Sequence, residues 1–227
     1  MLPDLHVKIN SDAKLDVHSL LVSQDLMNKL ELTDKQIITL QFGQSRFVMH
    51  VNADMLLSSG NLKINPATIA KTGIQKNMPY AIINHKQIVR IGPYIGIAAN
   101  LKPDRLKPFG MQTYFIRQLI EQAQAMGTVC FAFSMKDIDL KKAQIRGFTC
   151  HNNVWVKALF PLPDVIYPRC NSEFNRYSVR QSLQNMGVRY FNPPGIGKWG
   201  TYKTLIQNPR LVQYLPDTRL INSFRDL

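Results

Sequence analysis

The run FNPPGIGKWGTYKTL, Phe191 to Leu205, holds the residues with the clearest chemical potential. A glycine-flanked lysine at a helix start can set an ammonium, and the helix's free amides, against phosphate. A P-loop, however, requires G-x-x-x-x-G-K-[ST], with a hydroxyl after the lysine to reach magnesium. Here Trp199 follows Lys198, and Asn192 stands at the position five before Gly197, so a Walker motif is excluded. Lys198 remains a candidate phosphate contact. The bland alternative is a solvated lysine, which the positive end of a helix mildly disfavours.

The other reactive side chains offer less. Cys130, Cys150 and Cys170 form no C-x-x-C, and His151 beside Cys150 is badly placed for two ligands on one element. An odd count of three does not make a disulfide framework, so buried or half-buried free thiols are expected. His6, His18, His50 and His85 are scattered along strand-like segments. Asp137 and Asp139 in KDIDL read as a capping or turn pair, without a partner for acid–base work.

The elements that must position these residues change character along the chain. Segments such as DLHVKIN, KQIITLQFG, SRFVMHVN and KQIVRIG carry the β-branched, alternating pattern of half-buried strands. QFGQS predicts a hairpin turn with Gly43 at positive φ. SGNLKINPATIAKTGI predicts a strand and a short helix with Pro66 in its first turn. Residues 1–91 are therefore read as a small β-rich module. From Gly92 onward, YIGIAAN predicts a buried parallel strand, and MQTYFIRQLIEQAQAMG an amphipathic helix. The helix sets Phe115, Leu119, Gln122 and Met126 near one face, with Ile116, Ile120 and Ala123 beside them, and ends at Gly127. TVCFAFSM is a second strand, and AQIRGFTCHNNVWVKALFP a hairpin turning at His151–Asn153. PDVIYPRC, RYSVRQSLQNMG, VRYFNPP and GKWGTYKTLIQN continue as strand, helix, strand and helix. The fold class expected is α/β, with residues 92–227 an open, doubly wound layer. Its ligands would gather beyond the carboxyl ends of the strands, where AAN, SMKD, YPRC and FNPP converge. Asn100 and Asn192 are the candidate substrate contacts there.

Composition sets bounds on partners. The 227 residues suffice for one large domain or two small ones, and 45% hydrophobic content argues for a folded chain. The net charge of +13 is uneven: +3 over residues 1–90 and +10 over residues 91–227. Such a balance favours anionic partners, although no run of five basic residues concentrates it. No apolar segment approaches eighteen residues, so no membrane-spanning helix is expected. MLPDLHVKIN lacks the pattern of a signal peptide, and a cytoplasmic or mother-cell location follows as the expectation.

Several segments, taken in order, resemble a known family. GPYIGIAAN, PFGMQTYFIRQLIEQAQAMG, FSMKDIDLKKAQIRGFT, WVKALFPLPDVIYPRC and FNPPGIGKWGTYKTLIQNPRLVQYLPDTRL succeed one another as in the YheC/YheD family. These are ATP-grasp proteins of spore-forming bacteria described as endospore coat-associated. The resemblance runs from about Gly92 to the end and is looser over the β module. It implies a Rossmann-like parallel pre-ATP-grasp domain over residues 92–227, with a C-terminal helix, ending before the ATP-grasp core. The family pattern of asparagine followed by Lys-Trp is met by Asn192, Lys198 and Trp199. It gives Lys198 the role of a phosphate contact.

ATP and magnesium are the cofactors the family implies, but their main site requires a second lysine, a glycine-rich loop and acidic or asparagine ligands. The family places these after LPDTRL. Beyond Cys170 the only carboxylates are Glu173, Asp217 and Asp226. Pro168 stands in YPRC where the family leads one to expect a polar residue. The leading expectation is therefore a truncated family member without catalytic residues or a cofactor of its own. It would act as a structural or interaction component of the spore coat, with coat proteins or a full-length relative as partners. Half of an ATP-dependent carboxylate–amine ligase, completed by another subunit, is the second reading. Nucleic-acid or other polyanion binding is the third and least favoured, since the aromatics between the basic residues fall at core-facing positions.

Overall fold

The computed structural model describes residues 5–76, 78–170, 177–192 and 197–221. Alternating burial shapes its first sheet. In β1 (His6–Ser11), Val7 and Ile9 point inward while His6 and Lys8 face solvent. The same period of two recurs in β2 (Ser19–Ser23), in β4 (Ser45–Asp54), β5 (Asn61–Ile64) and β7 (Ile88–Ile91) and at the start of β3 (Ile37–Phe42), whereas β6 (Pro79–His85) buries Tyr80, Ala81 and Ile82 in succession. These seven strands close into a barrel in the order β1-β5-β2-β4-β3-β7-β6. Closure removes exposed edges, and the inward set fixes register, because a one-residue slip would turn every core side chain outward. Helix α1 (Gln24–Lys29) and the single turn α2 (Pro66–Ile69) connect strands. Pro66 sits in the first turn of α2, whose N-cap Asn65 accepts the Ala67 amide. The β3–β4 hairpin turns at Gly43 (φ +52°), as expected, and a Cβ there would press onto the Leu162 carbonyl oxygen.

Beyond Gly92 a seven-stranded mixed sheet forms. It comprises β8 (Tyr94–Ala98), β9 (Val129–Phe133), β10 (Ile138–Asp139), β11 (Gln144–His151), β12 (Val154–Pro161), β13 (Val165–Pro168) and β14 (Arg189–Tyr190). The order is β10-β11-β9-β8-β13-β14, with β12 paired to β11. Strands β9, β8, β13 and β14 run parallel, whereas β11 runs antiparallel to β9 and pairs antiparallel with both β10 and β12. The sheet is therefore mixed: the parallel layer expected from the sequence forms only over β9-β8-β13-β14, and the expected β11–β12 hairpin joins it antiparallel. The physical reason is that the hairpin docks β11 onto the edge of the parallel strands, against β9, instead of standing apart from them. Two residues, Asn152 and Asn153, link β11 to β12, and a link that short can only reverse the chain. Both asparagines take positive φ, as the turn requires.

Helix α3 (Thr113–Ala125) covers one face of this sheet, burying Ile116 and Ile120 against Ile97, Cys130 and Ala132. Of the residues expected near one face, Phe115 and Met126 are 39% and 52% exposed, and the neighbouring Ile116 and Ile120 carry the buried stripe. Gly127 (φ +71°) ends the helix, and its carbonyl accepts the Ala81 amide of the barrel. Helix α4 (Tyr177–Asn185) packs Leu183 into the other core, on the opposite face.

That second core is shared with the barrel. Tyr94 is fully buried, its ring edge-on to Phe42 and its hydroxyl donating to the Thr72 carbonyl at 3.0 Å. Phe131 and Phe160 stack at 4.0 Å between centroids. Barrel and mixed sheet thus form one compact unit, Met1–Phe191, and Asn192–Leu227 forms a second. The second unit holds α5 (Gly197–Leu205) and α6 (Pro209–Val212). Among the described residues, no helix is long and apolar enough to cross a membrane.

Candidate functional site

The parallel strands define a crevice. The chain leaves β8 through α3 to reach β9 on one side, and leaves β13 through α4 to reach β14 on the other. The two helices lie on opposite faces, so the winding reverses between β8 and β13, where the loops beyond the carboxyl ends part. Asn100 lies there, exposed, two residues past the end of β8. Arg169 lies there too, immediately after β13, and its amide donates to the Ala98 carbonyl at 2.7 Å.

Arg169 is held in place. Its Nε donates to Gln112 Oε1 at 3.1 Å, and Gln112 Nε2 returns a bond to the Arg169 carbonyl at 3.3 Å. The guanidinium lies over the Phe115 ring at 5.1 Å and the Tyr167 ring at 5.8 Å. Stacking on two aromatic faces fixes a fork of donors suited to a carboxylate or phosphate. The sequence does not single Arg169 out, because YPRC reads as a strand end. A basic residue directly after a buried parallel strand is the signal that could have found it.

Beside this crevice, α3 leaves part of the sheet uncovered. Ile95, Ile97, Leu119, Met126, Tyr167 and Phe191 line an apolar groove of about 480 Å3. Phe191 is 70% exposed at its rim and meets Tyr167 edge-on at 5.6 Å.

Asn192 and Lys198 belong to the second unit, whereas Asn100 belongs to the first. Both are exposed, and Lys198 is the second residue of α5. Trp199 and Tyr202 stack at 5.4 Å on that helix. Gly195, Gly197 and Gly200 fall at G-x-G-x-x-G spacing. A dinucleotide fingerprint needs that run inside a strand–turn–helix–strand unit. Here residues 193–196 lie outside the described residues, and α5 leads to α6 rather than to a described strand.

The remaining candidates take structural places. Asp139 accepts the Lys142 amide at 3.0 Å, a turn role as expected. All three cysteines are buried, as expected, and burial pushes the Cys130 thiol up to about 12. Among the described residues, no three His, Cys, Asp or Glu side chains are grouped to hold a metal. Asp217 pairs loosely with Arg219 at 3.8 Å, both exposed.

Two comparisons bear on identity. A family model described as YheC/D like ATP-grasp matches residues 187–227, from two residues before the last parallel strand onward. The endospore coat-associated protein YheD of Bacillus subtilis (strain 168) is 28% identical over 149 residues. That match takes in 63% of this chain and 33% of YheD, so the chain spans about a third of its relative.

Proposed function

Taking the chain as a relative of the YheC/YheD ATP-grasp proteins, we propose that it serves at the endospore coat as an interaction component and does not ligate by itself. The observation that carries this is the apolar groove beside α3, flanked by the stacked Arg169. Contiguous apolar hollows of this kind mark association surfaces more often than they stay bare. Its partner in this reading is a coat protein or a longer family relative. The Met1–Phe191 unit then acts as the pre-ATP-grasp platform, and the segment that matches the ATP-grasp model begins within its last five residues. Fractionation of spores that carry the tagged chain tests the reading. Recovery with the coat layer is expected, and less of it when Phe191→Glu charges the groove. Recovery wholly in the mother-cell extract overturns it.

One observation favours a second reading, half of an ATP-dependent carboxylate–amine ligase. Lys198 is exposed in the first turn of α5, where it can meet a nucleotide phosphate. Calorimetric titration of magnesium-ATP into the chain and into Lys198→Ala separates the two. Heat lost in the variant supports the half-ligase, and no heat in either protein removes it.

A further inference from the structure

Register on the barrel wall builds a feature that the functional reading does not use. Arg46 of β4 pairs with Gln41 of β3, Gln41 pairs with Arg90 of β7, and Arg90 pairs with Ile83 of β6. Their strand neighbours Leu40, Phe42, Val89, Ile91 and Ile82 are buried in the core, so this row faces outward. The mixed sheet meets it from the other side with Asp164, Val165 and Arg189, at the amino ends of β13 and β14. Between them lies a hollow of about 590 Å3.

Its charges do not balance. Asp164 is the one carboxylate in the lining, and it is already engaged. It accepts from Arg90 Nη2 at 2.6 Å and from the Tyr94 amide at 2.8 Å. Arg46 and Arg189 have no carboxylate partner among the described residues. Two uncompensated guanidinium groups around one hollow, with His85 beside them, invite an anion that bridges them. Arginine forks match the oxygens of a phosphate in pairs. The rest of the lining is not ionic. Ile88 and Val165 are apolar, and the Gln41 and Gln44 amides offer donors and acceptors. Gln41 is 5% exposed and Gln44 is tied to the Pro163 carbonyl, so these amides are held rather than free to swing. A bare phosphate leaves most of this volume unfilled, whereas a phosphate on a small carbon body reaches the amides and the apolar wall.

We propose that this hollow binds a small phosphorylated organic molecule, its phosphate between Arg46 and Arg189. The site lies at the amino ends of the parallel strands, away from the crevice at their carboxyl ends. It stands or falls independently of the function proposed above.

Nuclear magnetic resonance titration of the full chain tests it, with glucose 6-phosphate, inorganic phosphate and glucose as probes. The sugar phosphate is expected to shift the amides of Gln44, Arg90 and Gly187 saturably. Phosphate should shift them more weakly, and glucose not at all. Arg46→Gln with Arg189→Gln should weaken binding at least about tenfold, given the strength of charge-assisted hydrogen bonds. The lysine pair Arg46→Lys with Arg189→Lys should recover part of that loss. No saturable shift with either phosphate probe overturns the proposal, as do shifts that persist in the glutamine pair. Equal affinity for inorganic phosphate overturns the organic half of it. Should the glutamine pair fail to fold, the lysine pair and the unaltered chain decide, since the shifts at these amides either occur or do not.

Discussion

Asp164→Ala probes the joint between the barrel and the sheet, and its cost can be worked out group by group. The carboxylate holds Arg90 of the barrel at 2.6 Å and the Tyr94 amide, at the start of the sheet, at 2.8 Å. The arginine side chain is 48% exposed, so water screens that half of the interaction and it is worth about 1 kcal/mol or less. The Tyr94 amide is different, because Tyr94 is fully buried and its donor is left without a partner. An orphaned buried donor costs about 1–3 kcal/mol. The sum is about 1–4 kcal/mol, or a fall of about 2–16 °C in Tm for a chain of this size. Urea and thermal unfolding measure it, and a double-mutant cycle with Arg90→Ala should return a coupling of about 1 kcal/mol or less. A loss under about 0.5 kcal/mol would refute the reasoning. So would a coupling that accounts for the whole effect, since the buried amide would then contribute nothing.

Three further outcomes follow from the same structure. Phe160→Ala empties the stack against Phe131 at 4.0 Å and should cost about 3–5 kcal/mol, read from the urea midpoint. Lys86 and Gln87 form the β6–β7 turn with φ of +49° and +66°, values that asparagine and glycine tolerate better. Lys86→Asn with Gln87→Gly should therefore raise stability by about 1 kcal/mol in the same assay. Asp25 is held down to about 2, first by the Ser59 hydroxyl, with the Gly60 amide and Lys29 adding to it. A depressed carboxylate stabilises the fold above its unfolded value of 3.8, and that contribution disappears as pH falls toward 2. Asp25→Asn should thus flatten the decline of the urea midpoint between those two pH values, and an unchanged slope would count against the assignment.

What could be read from the sequence and what could not divide along physical lines. Features written in neighbouring residues came through. Gly43, the Asn152–Asn153 turn, Pro66 in its helix and Gly127 after α3 each depend on local backbone preference, and each sits where expected. Features that depend on pairing across distance did not. SLLVS and YAIIN carry continuous apolar runs without clear alternation, so β2 and β6 were not separable from ordinary connecting chain. The mixed character of the second sheet follows from which strand β11 chooses as its neighbour, and no residue of β11 states that choice. The position of Asn100 just past a strand end was legible because it follows a buried apolar run. Arg169 gains its meaning only from Gln112, Phe115 and Tyr167, which come from other elements. The Arg46–Gln41–Arg90 row exists only once strand register is known. Lys198 is placed by its own helix, but the chemistry of a lysine at a helix start depends on what faces it.

The measurement that bears most directly on the account is release of ADP from magnesium-ATP by the purified 227-residue chain, offered mixed carboxylate and amine acceptors. The account predicts no turnover above that of the buffer, and no difference between the unaltered chain and Lys198→Ala. Acceptor-dependent ADP release that disappears in Lys198→Ala would contradict it and make the chain a ligase in its own right.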